Sequence, residues 1–139
     1  PLWSRGLGDV YKRQGHRRVV NILGGHFEGD RLSGSVLAGG ADWQWVRSDG
    51  TIDLDARYTL RTTDGALIQV TSQGLRTAAP EVLEQLARGE DVDPSLYYFR
   101  TVMRFETSEP RLLDLTRMLA VAYGRRTRNA VELRVDEIL

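Results

Sequence analysis

Apolar and polar residues alternate through the middle of the chain: Ile52, Leu54, Ala56, Tyr58 and Leu60 interleave with Asp53, Asp55, Arg57, Thr59 and Arg61. A period of two places one set on each face of a β-strand. Shorter runs rich in Val, Ile, Tyr, Thr and Leu lie on either side, and the pattern predicts strands over residues 17–23, 31–37, 42–47, 51–62 and 66–75. Asp49-Gly50 and Asp64-Gly65 separate consecutive runs, and Asp-Gly pairs predict tight type I′ hairpins. The period then changes. Val82, Leu83 and Leu86 fall on one helical face, Pro80 opens the segment and Gly89 follows it, so a short surface helix over 80–88 is expected to lid one end of the sheet. Strand character returns over 97–107, a single helical turn is expected over 108–115, and 118–124 and 130–135 read as closing strands. Successive antiparallel strands with one short helix define an all-β domain, an antiparallel β-barrel or strongly bent sheet, because closure removes exposed edges.

Composition narrows the classes of partner. The chain has 139 residues, the length of one domain, with 19 basic and 19 acidic side chains. Residues 4–14 read, residue for residue, as a translated transposon sequencing adapter. They are set apart as a non-native segment, 1–14, from a single β-barrel domain, 15–139. A foreign segment is expected not to pack on the domain. Leaving out Arg5, Lys12, Arg13 and Asp9 gives the rest a net charge of −2, which offers no electrostatic reason to expect nucleic acid or an anionic membrane. Lys12 is the only lysine and there is no cysteine, so Schiff-base, thiolate, disulfide and cysteine–metal chemistry are excluded. No apolar run approaches the roughly 18 residues of a spanning helix, and a cytoplasmic, soluble protein is expected.

A series of short motifs then carries a family resemblance. Gly24-Gly25-His26-Phe27-Glu28-Gly29, Gly39-Gly40-Ala41-Asp42-Trp43-Gln44, Asp55-Ala56-Arg57-Tyr58, Thr62-Thr63-Asp64-Gly65-Ala66 and Tyr97-Tyr98-Phe99-Arg100-Thr101, followed by Arg104-Phe105-Glu106-Thr107, resemble the domain of unknown function 3237 family, also called uncharacterised protein family 0311. The resemblance runs from Gly15 to the carboxyl end. It implies a compact soluble β-barrel of bacterial and fungal proteins, some similar to small-molecule isomerases or cyclases, with no agreed catalytic set. Two departures stand out. The usual opening strand before Gly15 is missing, and an expected Gly-x-Gly-x-Arg reads Ala122-Tyr123-Gly124-Arg125-Arg126.

Candidate chemistry is sparse. His16 and His26 lack any metal-ligand spacing, so no metal site is expected, and the glycine pairs lack the context of a phosphate loop. Residues 97–107 pose a sharper question. One face carries Tyr98, Arg100, Val102, Arg104 and Glu106, the other Tyr97, Phe99, Thr101, Met103 and Phe105. Patterning alone puts the apolar face in the core; a pocket reading turns the charged face inward. Trp43 and Trp45, two apart on a strand, share a face and form either core or a ligand-stacking wall.

In the pocket reading Arg57, Arg100 and Arg104 orient a small organic substrate, Trp43 and Tyr98 wall it, and Asp42 or Glu106 moves a proton. The protein then reads as a cofactor-free isomerase, cyclase or lyase. A non-catalytic ligand-binding protein, or a structural domain able to form homo-oligomers, are the alternatives.

Overall fold

The computed structural model describes the backbone of Trp3–Arg5 and residues 15–139. Its strands are β1 (Trp3–Arg5), β2 (His16–Ile22), β3 (Gly25–Glu28), β4 (Ser33–Val36), β5 (Gly40–Val46), β6 (Ile52–Thr62), β7 (Leu67–Ala78), β8 (Tyr97–Glu106), β9 (Leu119–Arg126) and β10 (Val131–Ile138). Helix α1 spans Pro80–Ala87, and 3-10 turns cover Pro94–Leu96 and Pro110–Arg117. All described pairings are antiparallel, in the order β1-β2-β5-β6-β7-β8-β9-β10, with the β3–β4 hairpin attached to β6 through β4. The result is the expected antiparallel, barrel-like sheet.

The alternation along β6 does what its period requires. Ile52 and Leu54 are buried on the inner face, Arg57 and Arg61 are exposed on the outer one, and Leu60 packs against the inner core. One edge of this long strand is shared: β5 pairs with its first half, up to Ala41↔Arg57, and β4 with its last residues, Leu60 to Thr62. The β3 strand has no counterpart among the strands predicted from the pattern. Its residues, Gly25-His26-Phe27-Glu28, alternate too briefly to stand out, and pairing with β4 forms it.

The Asp-Gly hairpins differ from expectation in one respect. Gly50 (φ 88°) and Gly65 (φ 93°) take positive φ, but among the described residues no non-glycine residue does, so neither turn is type I′. Gly50 N–H donates to the Arg47 carbonyl and Gly65 N–H to the Thr62 carbonyl. Arg47 N–H and Thr62 N–H bond to the Thr51 and Ala66 carbonyls. This is the longer hairpin in which a turn is followed by a glycine bulge, and it confines the left-handed conformation to the residue that tolerates it.

Two covers close the inner face. Val82 and Leu86 of α1, with Val92, join Ile52, Leu54, Tyr97 and Phe99 at one end. The helix stops where Gly89 takes φ 78°, with Gly89 N–H bonding the Leu86 carbonyl and Glu90 N–H the Gln85 carbonyl, a Schellman end. At the other end Leu112 and Leu115, three apart on the 3-10 turn, pack on Ala66 and Ile68. Val70, Met103, Ala120 and Ala122 form a third buried cluster between them.

The amino-terminal segment departs from expectation at three residues. The backbone of Trp3–Arg5 pairs with β2, Trp3↔Val20 to Arg5↔Arg18. An unpaired strand edge accepts any extended chain, because the pairing uses main-chain groups alone. The rest of 1–14 lies outside the described residues.

Close packing of β9 on β8 provides a test. A Cβ at Gly124 would lie inside the Phe99 ring's van der Waals envelope, so the ring covers a bare glycine in a strand. Gly124→Ala is expected to cost about 2 kcal/mol by urea unfolding. Phe99→Leu in that background should recover part of the loss, as coupling between touching residues requires.

Candidate functional site

The register sorts the sequence-predicted residues by face. On β8, Tyr97, Phe99, Thr101 and Met103 are buried inside, while Tyr98 (52% exposed), Arg104 and Glu106 face outward. Patterning therefore read this strand's faces as they are found. Arg57 also sits on the outer wall, within 3.9 Å of Asp55. Trp43 is 40% exposed on the outer face of β5, and its neighbour Trp45 stacks under the Arg17 guanidinium at 5.5 Å. Trp43, Arg57, Tyr98, Arg100 and Glu106 thus do not converge on one cavity. Of the seven predicted residues only Asp42 faces inward.

The outer wall does bring two of them together. The Arg100 guanidinium lies 5.2 Å from the Tyr98 ring and 4.7 Å from that of Tyr123, which also carries Arg134 at 4.4 Å. Arg100 Nη1 donates to the Phe99 carbonyl (2.9 Å). With Gln73, Leu75, Val102 and Val121 these groups line a shallow, open groove.

The inner face holds a polar cluster that the motifs do not reveal. Asp42↔Ala56 and Ala56↔Ser72 are cross-strand neighbours on β5, β6 and β7, as are Arg18↔Gln44 on β2 and β5. Arg18 donates from Nε and Nη2 to Gln44 Oε1 (3.1 and 2.9 Å), and Gln44 Nε2 donates to Asp42 Oδ2 (2.8 Å). Asp42 Oδ1 accepts the backbone N–H of Asp55 (2.9 Å), beside the gap in the β5–β6 pairing between Asp42 and Trp45. The Gln44 amide is held by a cation on its oxygen and a carboxylate on its nitrogen, so its orientation is fixed.

Two more arginines face the same interior. Arg76 on β7 is only 7% exposed and has apolar cross-strand neighbours, Ile52 and Phe99. Arg126, the last residue of the Gly-x-Arg triplet, is half-buried at the end of β9, where its backbone N–H donates to the Tyr97 hydroxyl (2.9 Å). Buried Ser72 and Thr101 hydrogen-bond at 2.7 Å, and Ala56, Gly74, Ala120 and Ala122 add little bulk to this part of the inner face.

Burial dominates the electrostatics. Desolvation raises the Asp42 carboxyl above its ordinary value despite the Gln44 and Asp55 hydrogen bonds. It pushes Arg76 down to about 10, helped by the repulsion of Arg126 and Arg18, and lowers Arg18 and Arg126. The Tyr58 hydroxyl is pushed up to about 12, by burial and then by the charge of Asp42, and so remains a neutral phenol at neutral pH. Each effect is the cost of charging a group away from water. Among the described residues no cluster of His, Asp or Glu side chains is placed to hold a metal ion, and no helix is long and apolar enough to cross a membrane.

Fold and inner face together define a barrel-like antiparallel domain whose mainly apolar inner face carries one polar cluster. The chain belongs to the family described as protein of unknown function (DUF3237), whose model matches residues 5–138. A family 0311 protein of Rhodopseudomonas palustris is 42% identical over 137 residues, covering 96% of this chain and 90% of that one. The crystal structure of a conserved protein of unknown function from that organism superposes with TM-score 0.91 at 38% identity, over 100% of this chain and 89% of the other. A β-barrel-like protein of Acinetobacter baumannii matches with TM-score 0.83 at 43% identity, over 99% and 86%. An enzyme of Penicillium herquei shares the fold alone, with TM-score 0.60 at 23% identity over 88% and 79%.

The raised Asp42 pKa yields a signed prediction. A group whose folded pKa is raised favours the fold most below its unfolded pKa, and that contribution is lost as pH rises through the folded value. The stability of wild type relative to Asp42→Asn should therefore fall as pH rises above the ordinary carboxylate range, read from urea midpoints. A difference that is flat or grows with pH would overturn the assignment.

Proposed function

We propose that the inner face binds a small organic molecule and that Asp42 exchanges a proton with it, making the protein a cofactor-free isomerase, cyclase or lyase. One observation carries the reading: a half-buried carboxylate with a raised pKa faces a barrel interior that holds no other described acidic side chain in its hydrogen-bonded row, only Gln44 and Arg18, among apolar groups. A general base needs a pKa brought closer to neutral and a dry neighbourhood, and burial supplies both. Gln44 and the Asp55 N–H fix the direction of the carboxylate, as a residue that must meet a substrate proton in one geometry requires. Tyr58, a phenol with a pKa of about 12, is suited to donating a hydrogen bond to a carbonyl oxygen rather than to losing its proton. Glu106, on the outer face, has no part in this arrangement.

A non-catalytic binding protein would use the same interior and differs in one respect: it needs no titrating group. Methyl reporters separate the possibilities. Ala56, Ala120, Ala122 and Met103 all face inward, so 13C-methyl-labelled Ala and Met report occupancy of the interior directly. With a panel of small cyclic and aromatic ketones, hits should shift these signals. Asp42→Asn should keep the binding and lower proton exchange into the bound ketone by about 100-fold or more. Hits that leave the interior methyls unmoved, or that are lost in the outer-face variants Arg57→Ala and Arg100→Ala, would defeat the proposal.

A further inference from the structure

Arg76 is anomalous on physical grounds. It is 7% exposed, and its Nε is buried with no hydrogen-bond partner. Every other guanidinium seen to bond inside the sheet has a reason to be there: Arg18 grips Gln44 through two donors. Arg76 instead lies between Ile52 and Phe99 in the sheet, where burial opposes its charge and Arg18 and Arg126 oppose it further. Among the described residues Asp42 is the carboxylate that offsets them, and its two oxygens accept from Gln44 and Asp55. A buried guanidinium nitrogen left without a partner costs a fold stability. Proteins retain such a group where an incoming ligand completes it.

We propose that Arg76, with Arg18 and Arg126 behind it, is the anchor for an oxyanion carried on an apolar body: an organic carboxylate or phenolate. This rests on the barrel-interior reading above and adds the class of ligand to it. Arg18 and Arg126 both oppose the charge of Arg76, and Asp42 favours it, so an incoming anion would relieve that repulsion. The planar fork of a guanidinium matches two oxygens of one carboxylate, and such paired, charge-assisted bonds are the strong ones. The small side chains of Ala56 and Ala122 share the inner face with apolar Leu54, Met103 and Phe99. That lining suits a ring or short hydrocarbon body and offers little to a second charge. Inorganic anions would meet the cation without filling this apolar part, so an organic anion is the better fit.

Benzoate and its neutral isostere benzamide provide the test. Both are to be titrated into the whole chain, with the interior methyls and the melting temperature as readouts. Benzoate is expected to shift the methyls of Ala56, Ala122 and Met103 and to raise the melting temperature, with an affinity about tenfold or more above that of benzamide. Arg76→Lys keeps the charge but not the fork, and should lose most of that preference. Arg76→Met should abolish it and, without ligand, melt roughly 3 °C or more above wild type, because the unpaired charge is gone. The outer-face variant Arg57→Ala should behave as wild type.

If benzoate and benzamide move the interior methyls equally, or if Arg76→Met melts below wild type and Arg76→Lys keeps the full preference, the anion anchor is refuted while the barrel-interior reading stands. If neither compound moves the interior methyls and the Arg76 variants leave the melting temperature unchanged, both readings fail.

Discussion

Ten consecutive Cα pairs lock β6 to β7, from Ile52↔Arg76 to Arg61↔Leu67, and the rest of the inner face depends on that register. Ile68 and Val70 on β7 are almost wholly buried, and Ile52 and Leu54 on β6 nearly so. A slip of β7 by one residue would turn Ile68 and Val70 to water and bring Gln69, Thr71 and Gln73 inside against Ile52 and Leu54. Each buried aliphatic side chain contributes about 1.5–3 kcal/mol, so the apolar residues decide the register. Arg76 is carried inside as a consequence, because it lies an even number of residues from Ile68 and Val70. The hydrophobic effect over one half of a strand thus imposes a buried charge on the other half.

The charge that results is not isolated. Arg18 from β2, Arg126 from β9 and Asp42 from β5 approach from three other strands and alter one another's proton affinity. Their arrangement is asymmetric. Asp42 and Arg18 are joined through Gln44 in a continuous hydrogen-bonded row, whereas the Arg76 Nε has no partner at all. The row is rigid and satisfied; the lone guanidinium holds the unspent interaction energy of this interior. The outer wall contains arginines as well, but there they stack on Trp45, Tyr98 and Tyr123 and pair with exposed carboxylates such as Asp53. Water screens them, and such pairs contribute little.

Most of the fold was legible because it follows from period and punctuation. The ten-residue alternation of β6, the apolar face of β8, the Val82–Leu86 face of α1 and the glycine after it all appear in the sequence as they do in the structure. The site was much less legible, for reasons tied to particular residues. The strand predicted over 66–75 stops one residue before Arg76, and that predicted over 118–124 stops two before Arg126, so both arginines fell in apparent loops. Arg18 sits in the run His16-Arg17-Arg18-Val19-Val20, which has no alternation to assign a face. Asp42-Trp43-Gln44-Trp45 misleads outright, since hydrophobicity sends the tryptophans inward. The pairing of Asp42 with Ala56 and Val46 with Ile52 puts them outside instead. The signal that could have found Arg76 is the alternation from Ile68 and Val70 carried on past Gly74.

The three backbone pairs at Trp3–Arg5 have a practical consequence. The edge of β2 that they occupy is a main-chain docking rail, one strand away from Gln44 and two from the β6 ladder. An affinity tag or linker placed at the amino end of a recombinant version is a competitor for that rail. Arg18 belongs to β2, the strand it would pair with, so tag chemistry becomes a variable in any ligand measurement. Versions of the protein that differ only in an added amino-terminal tag are therefore the first controls to make.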